Sequence, residues 1–198
     1  MYILDRIQKR IFDIVVSTIL ILCLFPMMVL TAVIVWVDLK DIFFKQERVG
    51  RNGKIFKIWK FKTRKTLEGT NEEEVDFNNE RLTVLGGILR RYKLDELPQL
   101  FQVLIGKMSI IGPRPELPLY IEYHAELRKR ILAVNPGLID LAVITYFNED
   151  RLLLGQKDPK AFYIKDLLEA KMNLSLVTID NHKPIRLLIL FRSLCRLP

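Results

Sequence analysis

The run "IVVSTILILCLFPMMVLTAVIVWV", residues 14–37, holds 24 residues without a charge, and its reading decides the fold. About 20 apolar residues suffice to cross a bilayer as a helix. The run is long for a secretory signal, and no small-residue cleavage site follows it. A buried helix of a soluble protein would be shorter and would show a polar face. The segment is therefore read as a membrane helix. Pro26 stands near its centre, where it removes one backbone hydrogen bond and bends a helix. Arg6, Lys9 and Arg10 precede the run, and Lys40, Lys45 and Arg48 follow it. The cation bias that marks a cytosolic flank thus gives no asymmetry. On the residues alone two topologies stay open: a kinked span, and a helix bent at Pro26 that re-enters the same leaflet with both flanks on one side.

The rest of the chain sets the class. At 198 residues it has the length of one domain, or of a small domain with an appendage. Half of the residues are apolar, which argues against disorder. The net charge of +8 favours anionic partners. Nucleic acid is excluded as the reading, because the aromatic residues alternate with aliphatics in core-like runs and are not interleaved with the cations for base stacking. Cys23 and Cys195 have no metal-ligand spacing, and Cys23 lies inside the apolar run, so neither a disulfide framework nor a thiolate metal site is expected. His124 and His182 each stand alone and are read as surface or packing residues.

The expected organisation is a membrane helix over residues 1–37 and a globular domain over 38–198. "IFFKQERVGRNGKIFKIWKFKT", residues 42–63, is read as two short strands around Asn52-Gly53, the strongest short hairpin signal. The acidic stretch 67–80 is read as a surface loop. "TVLGGILRRYK", residues 83–93, has a helical pattern, and a second helix is expected to begin at Asp95, since Pro98 is tolerated in a first turn. "GPRPELP", residues 112–118, should be a stiff extended loop holding Arg114 between two prolines. Helices are expected over 120–134 and around 159–172. The tail 184–198 reads as a closing helix or one lying in the membrane interface. The fold class is α+β, mainly helical, with a short hairpin.

"RRYKLDELPQL", residues 90–100, carries the chemistry: Asp95 and Glu96 stand directly behind three cations. If Asp95 starts a helix, amide hydrogen bonds and the backbone dipole favour its ionised form. An ionised carboxylate can attack phosphorus or carry a divalent cation. Adjacent helical residues point about 100° apart, so the two acids need not share one task. Phosphoryl transfer also needs positive charge near the phosphate oxygens. Arg90, Arg91, Lys93 and Arg114 are close in sequence, and Lys60 and Lys62 can join from the hairpin. A capped helix on a basic, membrane-facing surface accounts for much of the same pattern without any reaction.

A resemblance shifts that balance. "KRIFDIVVS", the apolar run with its proline, "FKQERVGRNGKIFKIWKFKT", "ERLTVLGGILRRYKLDELPQL" and "GKMSIIGPRPE" occur in the order found in the bacterial sugar transferases, the monotopic phosphoglycosyl transferases. The likeness covers residues 8–116, and "LDELPQL" followed closely by "GPRP" is specific. It looks like the small form, without the additional amino-terminal membrane domain. The resemblance implies a reaction at the cytoplasmic face of the bacterial inner membrane. A sugar-1-phosphate moves from a UDP-sugar to polyprenyl (undecaprenyl) phosphate, UMP leaves, and a lipid-linked surface glycan is begun. Asp95 would be the nucleophile and form a phosphosugar-enzyme intermediate, and Glu96 would hold Mg²⁺. Arg90 and Arg114 would contact phosphate or headgroup, and Lys60 would join them. The resemblance also implies the re-entrant form of the membrane helix, broken at Pro26, with membrane lipid as a further partner.

Two departures from the family pattern bear on the site. Lys62 stands where arginine is usual in the Lys-Phe-Arg-Thr motif, which keeps the charge and loses the bidentate fork. Asp140 and Val143 replace a glycine and a glutamine in a stretch expected to shape the sugar or uridine pocket. The rival expectation from another class is a non-catalytic membrane protein that recruits partners or lipid through its basic surface.

Overall fold

The computed structural model describes residues 3–66, 81–120 and 122–180. The acidic stretch 67–80 and the tail 184–198 lie outside the described residues. One long helix, α1 (Ile3–Leu39), carries the apolar run. It is long and apolar enough to cross a membrane, and only 17% of its most apolar window is buried, unlike the core helix of a soluble protein.

The helix is continuous through Pro26, where the sequence reading placed a break. The proline costs one hydrogen bond to the preceding turn, and neighbouring structure can absorb such a loss. Asp13, Ser17, Ile21, Met28, Thr31 and Val35 are buried. They recur every three, four or seven residues, so a single stripe stays in phase across the proline. That stripe docks on the rest of the chain along most of the helix. Val16, Leu20, Ile21 and Leu24 meet Ile58, Leu100, Val103 and Met108. Met28 and Val35 meet Phe61 and Leu89. The opposite face, including Leu22, Phe25, Leu30 and Trp36, is exposed.

Polar pins fix the start of this docking. Arg10 donates to the carbonyls of Val103 and Leu104 at 2.7 and 2.6 Å, which satisfies the open carboxyl end of α3 (Gln99–Leu104). Asp13 accepts from the hydroxyl of Ser109 at 3.0 Å and the amide of Ile110 at 2.9 Å.

The hairpin forms as read. Strands β1 (Phe43–Val49) and β2 (Ile55–Phe61) pair antiparallel, Val49 opposite Ile55 and Phe43 opposite Phe61. Asn52 and Gly53 both take positive φ in the connecting turn, the conformation that those two residue types tolerate best. Helix α2 (Val84–Arg91) is capped by Thr83, whose hydroxyl accepts from the amide of Gly86. Gly86 permits close approach: a Cβ there would stand 2.1 Å from the carbonyl oxygen of Thr63.

The helix expected to begin at Asp95 does not. Lys93 takes a left-handed conformation, Leu94–Glu96 form a single 3-10 turn, and α3 begins only at Gln99, after Pro98. The pair β3 (Ser109–Ile111) and β4 (Gly137–Ile139) runs parallel. Gly137 is required there, because a Cβ would stand 2.2 Å from the amide of Gly112. Between these strands the expected long helix shrinks to α4 (Ala125–Ile131), since His124 has φ of +53° and stops the helix from extending backward. After β4 come α5 (Leu141–Thr145), α6 (Glu149–Leu154), α7 (Pro159–Phe162) and α8 (Leu168–Asp180). A π-turn, Tyr163–Leu167, joins the last two.

Asp13→Ala should strand the buried amide of Ile110, at a cost of about 1–3 kcal/mol. Thermal unfolding in detergent should fall by roughly 2–4 °C for each kcal/mol lost. Ile14→Ala, on the exposed face, should leave the midpoint in place. Equal midpoints for both variants would show that Asp13 does not pin the helix.

Candidate active site

Three chain segments converge on Glu96. Lys60, near the end of β2, places its ammonium 2.9 Å from Glu96 Oε1. Arg114, on the loop after β3, grips both oxygens of the same carboxylate at 2.5 and 3.2 Å. All three side chains are largely buried. The fork of Arg114 matches a carboxylate bidentately, a geometry lysine does not offer.

Asp95 is only 5% exposed, and its Oδ1 has no hydrogen-bond partner among the described residues. Both acids line an open cleft of roughly 1310 Å³, solvent at its mouth included, a space on the scale of small-ligand sites. Lys60, Arg90, Lys93 and Arg114 line the same cleft. Arg90 donates from Nε to the hydroxyl of Thr63 at 3.1 Å, and the ammonium of Lys93 sits 5.2 Å from the ring of Phe147. The structure thus gathers all five residues singled out as Lys60, Arg90, Asp95, Glu96 and Arg114. Lys62 does not join them. Its ammonium turns to Asp41 at 3.2 Å and Thr66 at 2.7 Å, so the Lys-for-Arg departure falls outside the cleft.

The protonation picture corrects the cap argument. Burial pushes the carboxyl of Asp95 above the usual aspartate range, and the nearby Lys60 only partly opposes it. For Glu96 burial also pushes upward, yet Arg114 and Lys60 together outweigh it and hold Glu96 well below the ordinary value. Neighbouring acids are therefore driven in opposite directions, a pattern that marks sites where carboxylates divide their roles. Burial lowers Lys60, with Glu96 offsetting part of the effect.

Magnesium was expected on Glu96. Among the described residues no three His, Cys, Asp or Glu side chains cluster as a protein-only cage. Mg²⁺ that travels with substrate phosphates needs only one or two carboxylates, and the adjacent acids meet that requirement. The open oxygen is on Asp95, however, whereas both oxygens of Glu96 already accept from cations.

Sequence reasoning missed a second cluster in the cleft. Glu116 accepts from the hydroxyl of Tyr163 at 2.7 Å, and Lys171 reaches Glu116 at 3.4 Å and Glu149 at 3.0 Å. Arg48, read only as a membrane flank, donates to the carbonyl of Pro115 at 3.3 Å. A signal for Lys171 existed: it falls in phase with Leu167, Leu168, Met172 and Leu176, the buried positions around α8. Of the departures, Val143 lines the cleft. Asp140 lies fully buried beneath it, where it caps α5 through the amide of Val143 at 2.7 Å and accepts from Ser175 at 2.5 Å.

Comparison with known proteins joins this geometry to a lineage. A profile of the family described as bacterial sugar transferase matches residues 4–181. The chain belongs to the bacterial sugar transferase family. Over 170 residues it is 33% identical to a UDP-glucose:undecaprenyl-phosphate glucose-1-phosphate transferase of Klebsiella pneumoniae, covering 83% of this chain and 36% of that protein. A protein of the same description from Escherichia coli (strain K12) is 37% identical over 145 residues, 71% of this chain and 31% of the relative. The chain thus spans about a third of the length of those two. An uncharacterized sugar transferase of Bacillus subtilis (strain 168) is 37% identical over 139 residues, 70% of this chain and 68% of the relative.

Because burial raises Asp95, its folded form holds a proton at pH values where the unfolded chain has lost it. Its contribution to stability is present below the ordinary aspartate value of 3.8 and is lost as pH rises through the folded value. Asp95→Asn should therefore unfold at a higher temperature than wild type at pH 7, and the gap should close as pH approaches 4. A gap that widened on acidification would refute this assignment.

Proposed function

We propose that the chain is a membrane-associated phosphoglycosyl transferase. It would move a sugar-1-phosphate from a UDP-sugar to polyprenyl phosphate, release UMP and so begin a lipid-linked surface glycan. The observation that carries this reading is the unpartnered carboxylate oxygen of Asp95, buried beside Lys60, Arg90, Lys93 and Arg114. Leaving a polar atom so placed is costly unless a ligand uses it.

The first step has Asp95 attack the phosphorus that bears the sugar. A carboxylate O–P bond forms, the bond from that phosphorus to the bridging oxygen breaks, and UMP departs with the electron pair. In the second step an oxygen of the prenyl phosphate attacks the same phosphorus. The lipid diphosphate-sugar forms, and Asp95 is regenerated as a carboxylate. Desolvation makes the Asp95 carboxylate more basic and thus a better nucleophile once ionised. The cations lining the cleft stabilise charge that accumulates on the phosphate oxygens. Asp95 and Glu96 would hold Mg²⁺ together with donor phosphate, and the ion would supply further positive charge there.

The re-entrant arrangement that the resemblance implies needs a bend at Pro26, whereas α1 is continuous there; the docked stripe supports a helix held against its own domain at the membrane face. From Asp13 to Val35 the stripe runs along about 33 Å of helix at 1.5 Å per residue, close to the thickness of a hydrocarbon core. A straight perpendicular span would carry β2, α3 and their polar groups through the bilayer with it. A helix that lies along one face of the membrane avoids that cost. It also keeps both basic flanks against anionic lipid.

The recruitment alternative leaves the open oxygen of Asp95 without a use. Wild type should release UMP from one member of a UDP-sugar panel, in a reaction that needs Mg²⁺, and Asp95 should carry the trapped phosphosugar. Asp95→Asn should lower turnover by about 10³-fold or more while membrane association persists, and Arg114→Lys by roughly 10²-fold. No UMP from any donor, or an adduct on another residue, would defeat the proposal.

A further inference from the structure

The loop that carries Arg114 is held on both sides. Gly137 donates to the carbonyl of Pro113 at 2.8 Å, and Val49 donates to the carbonyl of Glu116 at 2.9 Å. Arg114 and Glu116 stand two apart in this loop, and both line the cleft. Glu116 is where the carboxy-terminal helices reach this loop.

Lys171 on α8 is only 5% exposed, and an ammonium so buried is stable only when its partners are good. It has three: Glu116 at 3.4 Å, Glu149 at 3.0 Å and the phenol oxygen of Tyr163 at 2.9 Å. Tyr163 in turn donates to Glu116 at 2.7 Å. In an uninterrupted α-helix, residues eight apart would lie about 80° from each other around the axis. The π-turn Tyr163–Leu167 changes that register and brings Tyr163 against Lys171, whose ammonium sits 4.7 Å from the ring centre. Such insertions into helices recur at functional sites. Two helical segments, the π-turn through Tyr163 and α8 through Lys171, thus hold one loop carboxylate, and α6 joins them through Glu149 on Lys171.

We propose that Lys171 is a positioning residue for Arg114: with Tyr163 it locks Glu116, and the locked loop presents the guanidinium to the substrate phosphates. This rests on the reading of Arg114 as a phosphate contact. Lys171 itself makes no bond to substrate in this scheme, because its ammonium is already committed to Glu116, Glu149 and Tyr163.

The test has two arms on the full chain in detergent. Amide hydrogen exchange compares wild type with Lys171→Met, Lys171→Arg and the milder Tyr163→Phe. Lys171→Met should speed exchange across residues 112–118 by about 10-fold or more while the core of β2 and α1 keep their protection. Tyr163→Phe should show a smaller change in the same place, and Lys171→Arg should restore most of the protection. Unchanged exchange at 112–118, or a rise of equal size everywhere, overturns the proposal.

The second arm measures UMP release with the UDP-sugar that wild type turns over. Lys171→Met should lower turnover by about 10-fold in the wild-type background and add nothing in an Arg114→Lys background. Additive losses would show that Lys171 does not act through Arg114. If wild type releases no UMP from any donor, the transferase reading fails by itself, and the exchange arm still decides whether the lock exists.

Discussion

The site depends on one shared carboxylate. Glu96 accepts from Lys60 on the hairpin and Arg114 on the proline-bounded loop, so segments far apart in the chain are tied at one point. Two buried cations on a single anion leave the group with one excess positive charge, which an ionised Asp95 would cancel. Removing water makes each of these terms stronger than at a surface. The same burial that holds Glu96 ionised through its partners works against Asp95, whose partners are weaker. Neighbouring acids thus divide into one held ionised by its partners and one pushed toward its protonated form.

The membrane helix and the chemistry are not separate parts of the molecule. Arg10 closes the end of α3, and Gln102 on that helix accepts from the amide of Trp59 at 3.1 Å and donates to the carbonyl of Lys57 at 2.7 Å. Those contacts set β2, and β2 sets Lys60. Leu97 and Phe101, just beyond the acid pair, pack with residues from both halves of α1. A force that bent or withdrew the helix would be transmitted to Glu96 through packed side chains rather than through a flexible linker.

What could be read from sequence was what short-range chemistry determines. Asn52-Gly53 makes its turn because those residues tolerate positive φ, whatever surrounds them. Thr83 caps α2 with a hydroxyl three residues from its partner. Arg90 and Arg114 are legible as near neighbours of the acid pair in sequence, but no local rule separates Lys60, which reaches Glu96, from Lys62, which does not; the family likeness selects Lys60. The cap reading of Asp95 fails because its surroundings are also set by distant segments. Its sequence suits a helix cap, but Lys93 breaks the chain's direction in front of it, and burial by distant segments then reverses the expected sign of its proton affinity. The residues alone allow a kink at Pro26, and the resemblance implies a break there. A stripe docked on both sides of it supplies enough packing to carry the helix through.

The second cluster extends the same principle to the carboxy-terminal half. On the proposed function, an ion network in a cleft that admits a charged ligand has to be rigid without consuming the cations that the ligand needs. Using Glu116, Glu149 and Tyr163 to satisfy Lys171 meets that condition, because the lysine then braces the loop and competes little for substrate phosphate. Asp140 works at one remove: it is fully buried, caps α5 and holds Ser175 of α8. The helix that brings Val143 to the cleft and the helix that carries Lys171 are consequently joined by two hydrogen bonds, from Ser175 to Asp140 and from the amide of Leu141 to the hydroxyl of Thr178. On the proposed function, a change at Val143 would be transmitted through the packing of α5 on α8 to the loop that carries Arg114.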